Sequence, residues 1–322
     1  MTLPAPHRIV YLQRATLDDS VVLRRPSFAH EWAEHPATPV EQMAERLAGA
    51  TIAITNKLRL SREVIDSAPS LKLIAIAATG HDSVDINACR EHGIAVTNVR
   101  RYSQHSVAEH TLMLMLAVSR HLKGYATRTA LGAWNQSQRF YLEGPAIGDL
   151  HGKTLAIVGR GGLGTAVARL AEAFGMKILW AERKGAPSVR EGYTSFMDAL
   201  AAADFVSLHC PYTPEAHHLI GEPELRAMKK TAYLVNTARG RLIDEPTLVW
   251  ALMENWIAGA ALDVLSAEPP AESNVLLDQR IANLLITPHV AWASSEAKQA
   301  LADELIDCIE AFARGERLNR LA

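Results

Sequence analysis

Residues 154–164 read TLAIVGRGGLG, and this stretch decides the fold of the second half of the chain. Its first five residues are mostly apolar, as expected of a buried parallel strand. The strand leads directly into glycines with GxGxxG spacing, Gly159, Gly161 and Gly164, where an amphipathic segment begins. The stretch therefore predicts a strand, a tight turn and a helix in immediate succession.

Each glycine of this turn has a physical purpose in dinucleotide binding. Gly159 permits the tight turn, Gly161 lets the backbone approach a pyrophosphate, and Gly164 allows the helix to pack closely on the strand. The first N–H groups of the helix, at Gly162 and Leu163, are available to phosphate oxygens. A glycine-rich turn also occurs in other α/β proteins, but the strand before it and the helix after it favour a dinucleotide site.

An acidic residue stands where such a site needs one. Glu182 follows Gly164 by 18 residues, directly after a predicted strand at 177–181. A carboxylate at this position accepts hydrogen bonds from the adenosine ribose of NAD, and its charge repels the 2′-phosphate of NADP. Arg183 and Lys184 follow immediately and could bind such a phosphate. The sequence favours NAD as the cofactor and leaves NADP open.

Short β-branched runs alternate with amphipathic segments through most of the chain, which is typical of parallel α/β architecture. Long helices are predicted at 106–121 and 294–313, and 28–38 is compatible with a strand and a loop. The proline- and glycine-bearing stretch 132–152 predicts either a crossing between domains or an arm against a partner subunit. Strands are predicted at 8–12, 51–55, 73–77, 95–97, 154–158, 177–181, 205–208, 232–235, 259–262 and 284–287, and shorter helices at 40–47, 61–67, 85–92 and 162–174.

The composition is that of a globular chain long enough for two domains. The 322 residues are 48% hydrophobic and 21% charged. The net charge of −2 provides no basic surface for nucleic acid or an anionic membrane. The three cysteines are scattered, and neither a secretory signal nor an apolar run of bilayer length is evident. These features predict a soluble cytoplasmic protein without nucleic-acid or membrane partners.

Three polar residues follow predicted strands in the second half: Arg239, Glu268 and His289. Ligands of parallel α/β sheets bind beyond the carboxyl ends of the strands, so these side chains are expected to share one crevice. A histidine can protonate an alkoxide, a carboxylate can orient the imidazole, and an arginine can bind a carboxylate through two N–H groups. Singly, each residue has an ordinary structural explanation. Their shared placement favours hydride chemistry on a small keto acid.

At these segments the sequence resembles the D-isomer-specific 2-hydroxyacid dehydrogenases over nearly its whole length. The shared segments occur in family order: TGHDSVDI at 79–86, YSQHSVAEH at 102–110, GRGGLG at 159–164, HCPYTPE at 209–215, VNTARGRLID at 235–244, ALDVLSAEP at 261–269 and TPHVAWAS at 287–294. The resemblance implies an oxidoreductase that transfers a hydride between NAD(P)H and a small 2-keto acid/D-2-hydroxy acid pair.

The resemblance also implies roles for individual residues. His289 is the acid/base, Glu268 is its carboxylate partner, and Arg239 binds and polarises the substrate. The loop residues implied to bind the substrate carboxylate are Thr79, Gly80 and His81. The implied cofactor contacts are Val107, Gly159, Gly161, Gly162, Leu163, Gly164, Glu182, His209, Cys210, Pro211, Thr237, Ala238 and Asp263. No metal site is expected.

The family organisation implies two Rossmann-like, doubly wound parallel-sheet domains of the α/β class. The NAD-binding domain, residues 101–290, is inserted into a split substrate domain formed by residues 1–100 and 291–322. Closure of the domains over bound ligands would exclude water from hydride transfer. Family members pair through their cofactor domains, so a homodimer is expected.

Further details are closest to the glycerate dehydrogenases of this family, also called hydroxypyruvate reductases. Trp292 lies three residues after His289, and Trp134 lies in GAWNQS. This subgroup implies the pairs hydroxypyruvate/D-glycerate or glyoxylate/glycolate. His81 stands where the family often has a small polar residue, which bears on substrate choice. The alternative function is an NAD-binding, corepressor-like regulator with little turnover, and the complete acid/base set favours the enzyme.

Overall fold

The computed structural model describes residues 6–278 and 281–322, and the chain divides into two compact units. The first unit comprises the chain up to Ser103 together with Ala293–Ala322, and the second comprises Gln104–Trp292. Each unit contains its own parallel sheet. Within the described ranges, no helix is both long and apolar enough to cross a membrane.

The first unit is built on five parallel strands, β1 (His7–Tyr11), β2 (His30–Glu34), β3 (Ile52–Thr55), β4 (Leu73–Ile76) and β5 (Ala95–Asn98). Their order in the sheet is β2-β1-β3-β4-β5. Every residue of β3, β4 and β5 is buried, as expected of parallel strands covered on both faces. The helices of this unit are α1 (Met43–Leu47), α2 (Arg62–Asp66), α3 (Ile86–Glu91) and the C-terminal α11 (Ser295–Ala313), which packs against β4 and β5.

The second unit contains six parallel strands, β6 (Thr154–Val158), β7 (Lys177–Ala181), β8 (Phe205–Leu208), β9 (Tyr233–Asn236), β10 (Gly259–Leu262) and β11 (Leu284–Ile286). They lie in the order β11-β10-β9-β8-β6-β7. The helices are α4 (Gln104–Ser119), α5 (Leu122–Ala130), α6 (Ala133–Ser137), α7 (Gly162–Ala173), α8 (Phe196–Ala202), α9 (Glu222–Ala227) and α10 (Glu245–Met253).

The strand order of the second sheet is that of a dinucleotide-binding domain. Thr194 forms a single parallel bridge to Ala181 at the end of β7, so a one-residue remnant occupies the place of the third Rossmann strand. With Thr194 counted as a strand, the sheet has the doubly wound order. Successive strands are added on one side of β6 up to this remnant and then on its other side from β8 onward. The prediction of two doubly wound α/β sheets is confirmed, and all strands of the second sheet end at one edge.

The predicted strands match the observed ones to within one or two residues, but several helices were not predicted. No helix was predicted at α5, α8 or α9, because six to nine residues are too few to show a helical period clearly. The stretch 132–152 contains α6 and lies wholly within the second unit, so it does not cross between the units. Of its two predicted uses, only the arm remains.

Candidate functional site

The glycine turn after β6 is packed against the end of β8. Gly159 has φ +107°, and a Cβ atom there would lie 2.7 Å from the carbonyl carbon and oxygen of His209. A Cβ at Gly164 would lie 2.1 Å from the carbonyl oxygen of Gly159. Both contacts are with backbone, which cannot move aside easily. These two glycines are therefore required by the packing of the second unit itself.

Gly161 is different, because no neighbour within the protein requires a glycine there. Its backbone is extended, with φ −88° and ψ −171°, and a Cβ would meet nothing within 4 Å. A bound group approaching the backbone would account for this glycine. The helix α7 begins beside it at Gly162 and Leu163, where N–H groups lack partners within the helix. The turn thus fits the pyrophosphate of a dinucleotide.

The segment His209-Cys210-Pro211 follows β8 at the same edge. The His209 N–H donates to the carbonyl oxygen of Val158 at 2.8 Å, and the imidazole Nε2 lies 2.8 Å from Ser207 Oγ. Burial lowers the pKa of His209 to about 4, so its ring is neutral at physiological pH. Burial raises the pKa of the Cys210 thiol to about 11, so Cys210 is not an activated nucleophile. Pro211 is exposed.

The turn after β9 carries Arg239, and a buried amide holds it. Asn236 accepts a hydrogen bond from the Ala238 N–H at 2.9 Å and donates one to the Arg239 carbonyl oxygen at 2.9 Å. The hydroxyl oxygens of Thr237 and Thr111 lie 3.2 Å apart, and the Arg239 guanidinium donates to the Ala238 carbonyl oxygen. Asn236 was not predicted from the sequence, although asparagine after a strand is a known turn signal.

The loop after β11 carries His289 in a left-handed backbone conformation, with φ +56°. Asp263, directly after β10, accepts hydrogen bonds from the backbone of this loop. Its carbonyl oxygen accepts from the His289 N–H at 2.7 Å, and its carboxylate accepts from the N–H groups of Val290 and Ala291 at 3.0 and 2.8 Å. Asp263 is buried, so these hydrogen bonds stabilise a conformation that a non-glycine residue rarely adopts.

His110, on α4, extends this network and was not predicted to take part. The Thr287 hydroxyl donates its proton to the Asp263 carboxylate at 2.6 Å. His110 Nε2 lies 3.0 Å from the Thr287 hydroxyl oxygen, and because that hydroxyl proton is already used, His110 is the donor between these two residues. Burial lowers the pKa of His110, and this effect outweighs the opposite influence of the Asp263 carboxylate. A neutral His110 therefore supports the loop from the helix side.

His289 and Glu268 are brought into direct contact. His289 Nδ1 lies 2.5 Å from Glu268 Oε2, and the other carboxylate oxygen accepts from the Leu265 N–H at 3.0 Å. The two side chains are 24% and 32% exposed, so solvent and small molecules can reach them. Because Nδ1 faces the carboxylate, Nε2 remains as the ring atom for exchanging a proton with a ligand.

The Arg239 and Glu268 loops touch through their backbones. A Cβ at Gly240 would lie 1.9 Å from the Leu265 carbonyl carbon and 2.3 Å from the Ser266 nitrogen. Glu245, buried at the start of α10, accepts from the Ser266 N–H at 2.5 Å and from the Asn274 amide at 3.3 Å. Gly240 and Glu245 were not identified from the sequence, because their partners are 21 or more residues away along the chain.

The remaining predicted residues lie on three other elements. In the first unit, the Thr79 hydroxyl donates to the Val99 carbonyl oxygen at 2.8 Å, and His81 is exposed on the loop after β4. Gly80 lies between them. In the second unit, Val107 is buried in α4. Glu182 follows β7, and Arg190 hydrogen-bonds its carboxylate, which is the main reason that its pKa is lowered to about 2.

Replacing Gly240 with alanine should force the Arg239 and Glu268 loops apart, since the new methyl group overlaps backbone atoms. Overpacking of this kind costs roughly 1–3 kcal/mol, so we expect a clear drop in the thermal unfolding temperature. Gly221→Ala is the matched control, because that glycine has φ −124° and the new methyl group would have no neighbour closer than 3.7 Å. Equal unfolding temperatures for the two variants would contradict the contact.

Known proteins match this chain along most of its length. The family model described as "D-isomer specific 2-hydroxyacid dehydrogenase, NAD binding domain" matches residues 112–291. A glycerate dehydrogenase of Methylorubrum extorquens is 43% identical, covering 97% of this chain and 98% of its own. A glyoxylate reductase of Thermococcus litoralis is 36% identical, covering 88% and 87%. The solved TT0316 protein of Thermus thermophilus is 34% identical, with a TM-score of 0.86 over 98% of this chain and 100% of its own. The chain is therefore a member of the D-isomer specific 2-hydroxyacid dehydrogenase family, an NAD-binding oxidoreductase, as its motifs predicted.

Proposed function

We propose that this enzyme reduces hydroxypyruvate to D-glycerate and glyoxylate to glycolate. The observation that carries the proposal is the 2.5 Å contact between His289 Nδ1 and Glu268 Oε2, at the sheet edge that also bears the glycine turn. Such a pair supplies the proton that reduction of a carbonyl group requires. The names of the similar proteins, a glycerate dehydrogenase and a glyoxylate reductase, support these two substrates.

His289 acts as the general acid in this proposal. The Glu268 carboxylate accepts the Nδ1–H of the imidazole and fixes the ring orientation, so the proton on Nε2 is the one donated to the carbonyl oxygen of the substrate. The reduced nicotinamide, when bound, supplies the hydride to the carbonyl carbon. In the reverse direction His289 Nε2 accepts the hydroxyl proton. Asp263 keeps the His289 loop in place during both directions.

Arg239 binds the substrate in this proposal. Its planar guanidinium can donate two parallel hydrogen bonds to a carboxylate or polarise the adjacent carbonyl oxygen. Asn236 and Gly240 position its backbone. The residues proposed to bind the substrate carboxylate through the loop of the first unit are Thr79, Gly80 and His81.

Substrate binding and cofactor binding are assigned to different units in this proposal. We propose the first unit as the substrate domain and the second as the NAD-binding domain, with the pyrophosphate at the turn 159–164 and the start of α7. The other residues proposed to line the cofactor site are Val107, Glu182, His209, Cys210, Pro211, Thr237, Ala238 and Asp263.

A panel of keto acids tests the proposed activity. We expect purified protein to oxidise NADH or NADPH with hydroxypyruvate and glyoxylate at higher kcat/KM than with pyruvate, measured by the absorbance of the reduced nicotinamide. The product from hydroxypyruvate should have the D configuration. Absence of turnover with all three acids and both cofactors would contradict the proposal and favour a corepressor-like regulator.

Replacing His289 with alanine should lower kcat by a factor on the order of 10² or more, because general acid catalysis typically contributes that much. Nucleotide affinity, measured by calorimetry, should be unchanged. His92→Ala is the control, since that exposed histidine hydrogen-bonds to Asp66 on the surface of the first unit. Near-normal turnover of the His289 variant would exclude His289 as the acid.

We further propose a homodimer in which the segment 120–147 contacts the partner. This segment exposes large apolar side chains, among them Phe140, 89% exposed, and Leu131, 76% exposed. Exposed apolar side chains grouped on one segment mark a surface that another molecule covers. Light scattering should give about twice the mass of one chain, and replacing both Leu131 and Phe140 with aspartate should give one chain mass. A monomeric wild-type protein would contradict the dimer.

A further inference from the structure

Glu182 stands where dinucleotide-binding domains recognise the adenosine ribose, yet its carboxylate is fully occupied by its own chain. Oε1 accepts from the Arg183 N–H and from Arg190 Nη2, both at 2.7 Å. Oε2 accepts from the Arg190 N–H at 3.1 Å and from Arg190 Nε at 2.7 Å. A carboxylate offers about four lone-pair sites, and all are used. Ribose hydroxyls therefore find no acceptor at Glu182.

The ion pair combines a buried carboxylate with a half-exposed guanidinium. The side chain of Glu182 is only 4% exposed, whereas that of Arg190 is 52% exposed. The hydrogen bonds from Arg190 lower the pKa of Glu182 to about 2, so the carboxylate remains ionised at any physiological pH. Arg190 thus covers the carboxylate and is itself the group that faces solvent.

The surroundings of the pair are basic. The guanidinium carbon of Arg190 lies 4.0 Å from the ring centre of Tyr193, and that of Arg160 lies 5.5 Å from the same ring and 4.9 Å from Trp180. Arg183 is exposed next to Glu182. Three guanidinium groups therefore accompany one neutralised carboxylate. Arg190 uses only two of its five side-chain N–H groups on Glu182, so donors remain for an incoming anion.

Lys184 does not belong to this group, contrary to one possibility raised by the sequence. Its ammonium lies 2.8 Å from Glu224 Oε1 and donates to the Leu219 carbonyl oxygen at 3.2 Å. These contacts direct its charge toward α9. We therefore leave Lys184 out of the proposed phosphate site and include Arg183.

We propose that Arg190 masks Glu182 and makes this domain bind NADPH at least as tightly as NADH. The masked carboxylate neither accepts from the ribose hydroxyls nor repels a phosphate, and the arginines offer donors to the 2′-phosphate, a dianion that only accepts hydrogen bonds. Arg190 is thus a specificity-determining residue for the cofactor. The inference rests on the proposed function only in placing the adenosine ribose beside Glu182.

Calorimetry with two adenosine nucleotides tests the inference without any turnover. The probes are adenosine 2′,5′-bisphosphate, which carries the 2′-phosphate, and 5′-AMP, which lacks it. The wild-type protein should bind the bisphosphate at least as tightly as 5′-AMP. Arg190→Gln should weaken bisphosphate binding about tenfold or more, as expected for loss of a charge-assisted hydrogen bond, and should leave 5′-AMP binding unchanged or tighter.

The double variant separates masking from direct phosphate binding. In the Arg190→Gln background, Glu182→Gln should recover at least about threefold of the lost bisphosphate affinity, because the uncovered carboxylate would no longer repel the phosphate. Arg226→Gln is the matched control, since Arg226 lies on α9, pairs with Glu222 and stacks on Trp256. It should leave both affinities unchanged.

Two results would overturn the inference. Wild-type protein that binds 5′-AMP more tightly than the bisphosphate would show that Glu182 is not masked. A double variant with the same affinities as Arg190→Gln would show that Arg190 acts without covering Glu182. The proposed function fails on a different measurement: keto acids would not be reduced, although both nucleotides bind as expected.

Discussion

The backbone and carboxylate of Asp263 carry the hydrogen bonds on which the candidate active site depends. Directly after β10, this buried residue binds three successive N–H groups of the neighbouring loop and the Thr287 hydroxyl. A left-handed backbone at a histidine is costly, so it persists only where the surroundings determine it fully. Asp263 supplies that determination at His289, and His110 of α4 stabilises the same network from the side.

A second constraint aligns the residues that would contact the substrate. The Arg239 turn and the Glu268 loop meet at Gly240, where no side chain fits, and Glu245 ties down the far side of the Glu268 loop. The imidazole of His289 is in turn oriented by Glu268. The Arg239 and Glu268 loops are thus positioned by backbone contact with each other, and His289 is positioned by the Glu268 side chain. General acid catalysis needs this precision, because proton transfer depends on hydrogen-bond distances.

The ion pair between Glu182 and Arg190 shows how one residue can change which ligand another residue is expected to bind. An acid after the second strand of a Rossmann domain normally indicates NAD. Here the acid is present, but an arginine eight residues later occupies its acceptor positions. The carboxylate contributes to the shape of the loop, and the surface offered to a ligand is that of the arginines.

The α/β class, both sheets, the glycine turn and the family could be predicted from the sequence, because these depend on local patterns: β-branched runs, glycine spacing and motif order. The sequence also predicts that His289, Glu268 and Arg239 share one site, since parallel strands end at one edge. The structure alone showed Asn236, Gly240, Glu245 and His110 as their supports, and Arg190 as the partner of Glu182. Asn236 and Arg190 act within their own loops, whereas Gly240, Glu245 and His110 contact other loops or elements. No local pattern encodes which backbone or side chain will lie within hydrogen-bond distance after folding. Tertiary packing decides that, and with it the geometry of the site.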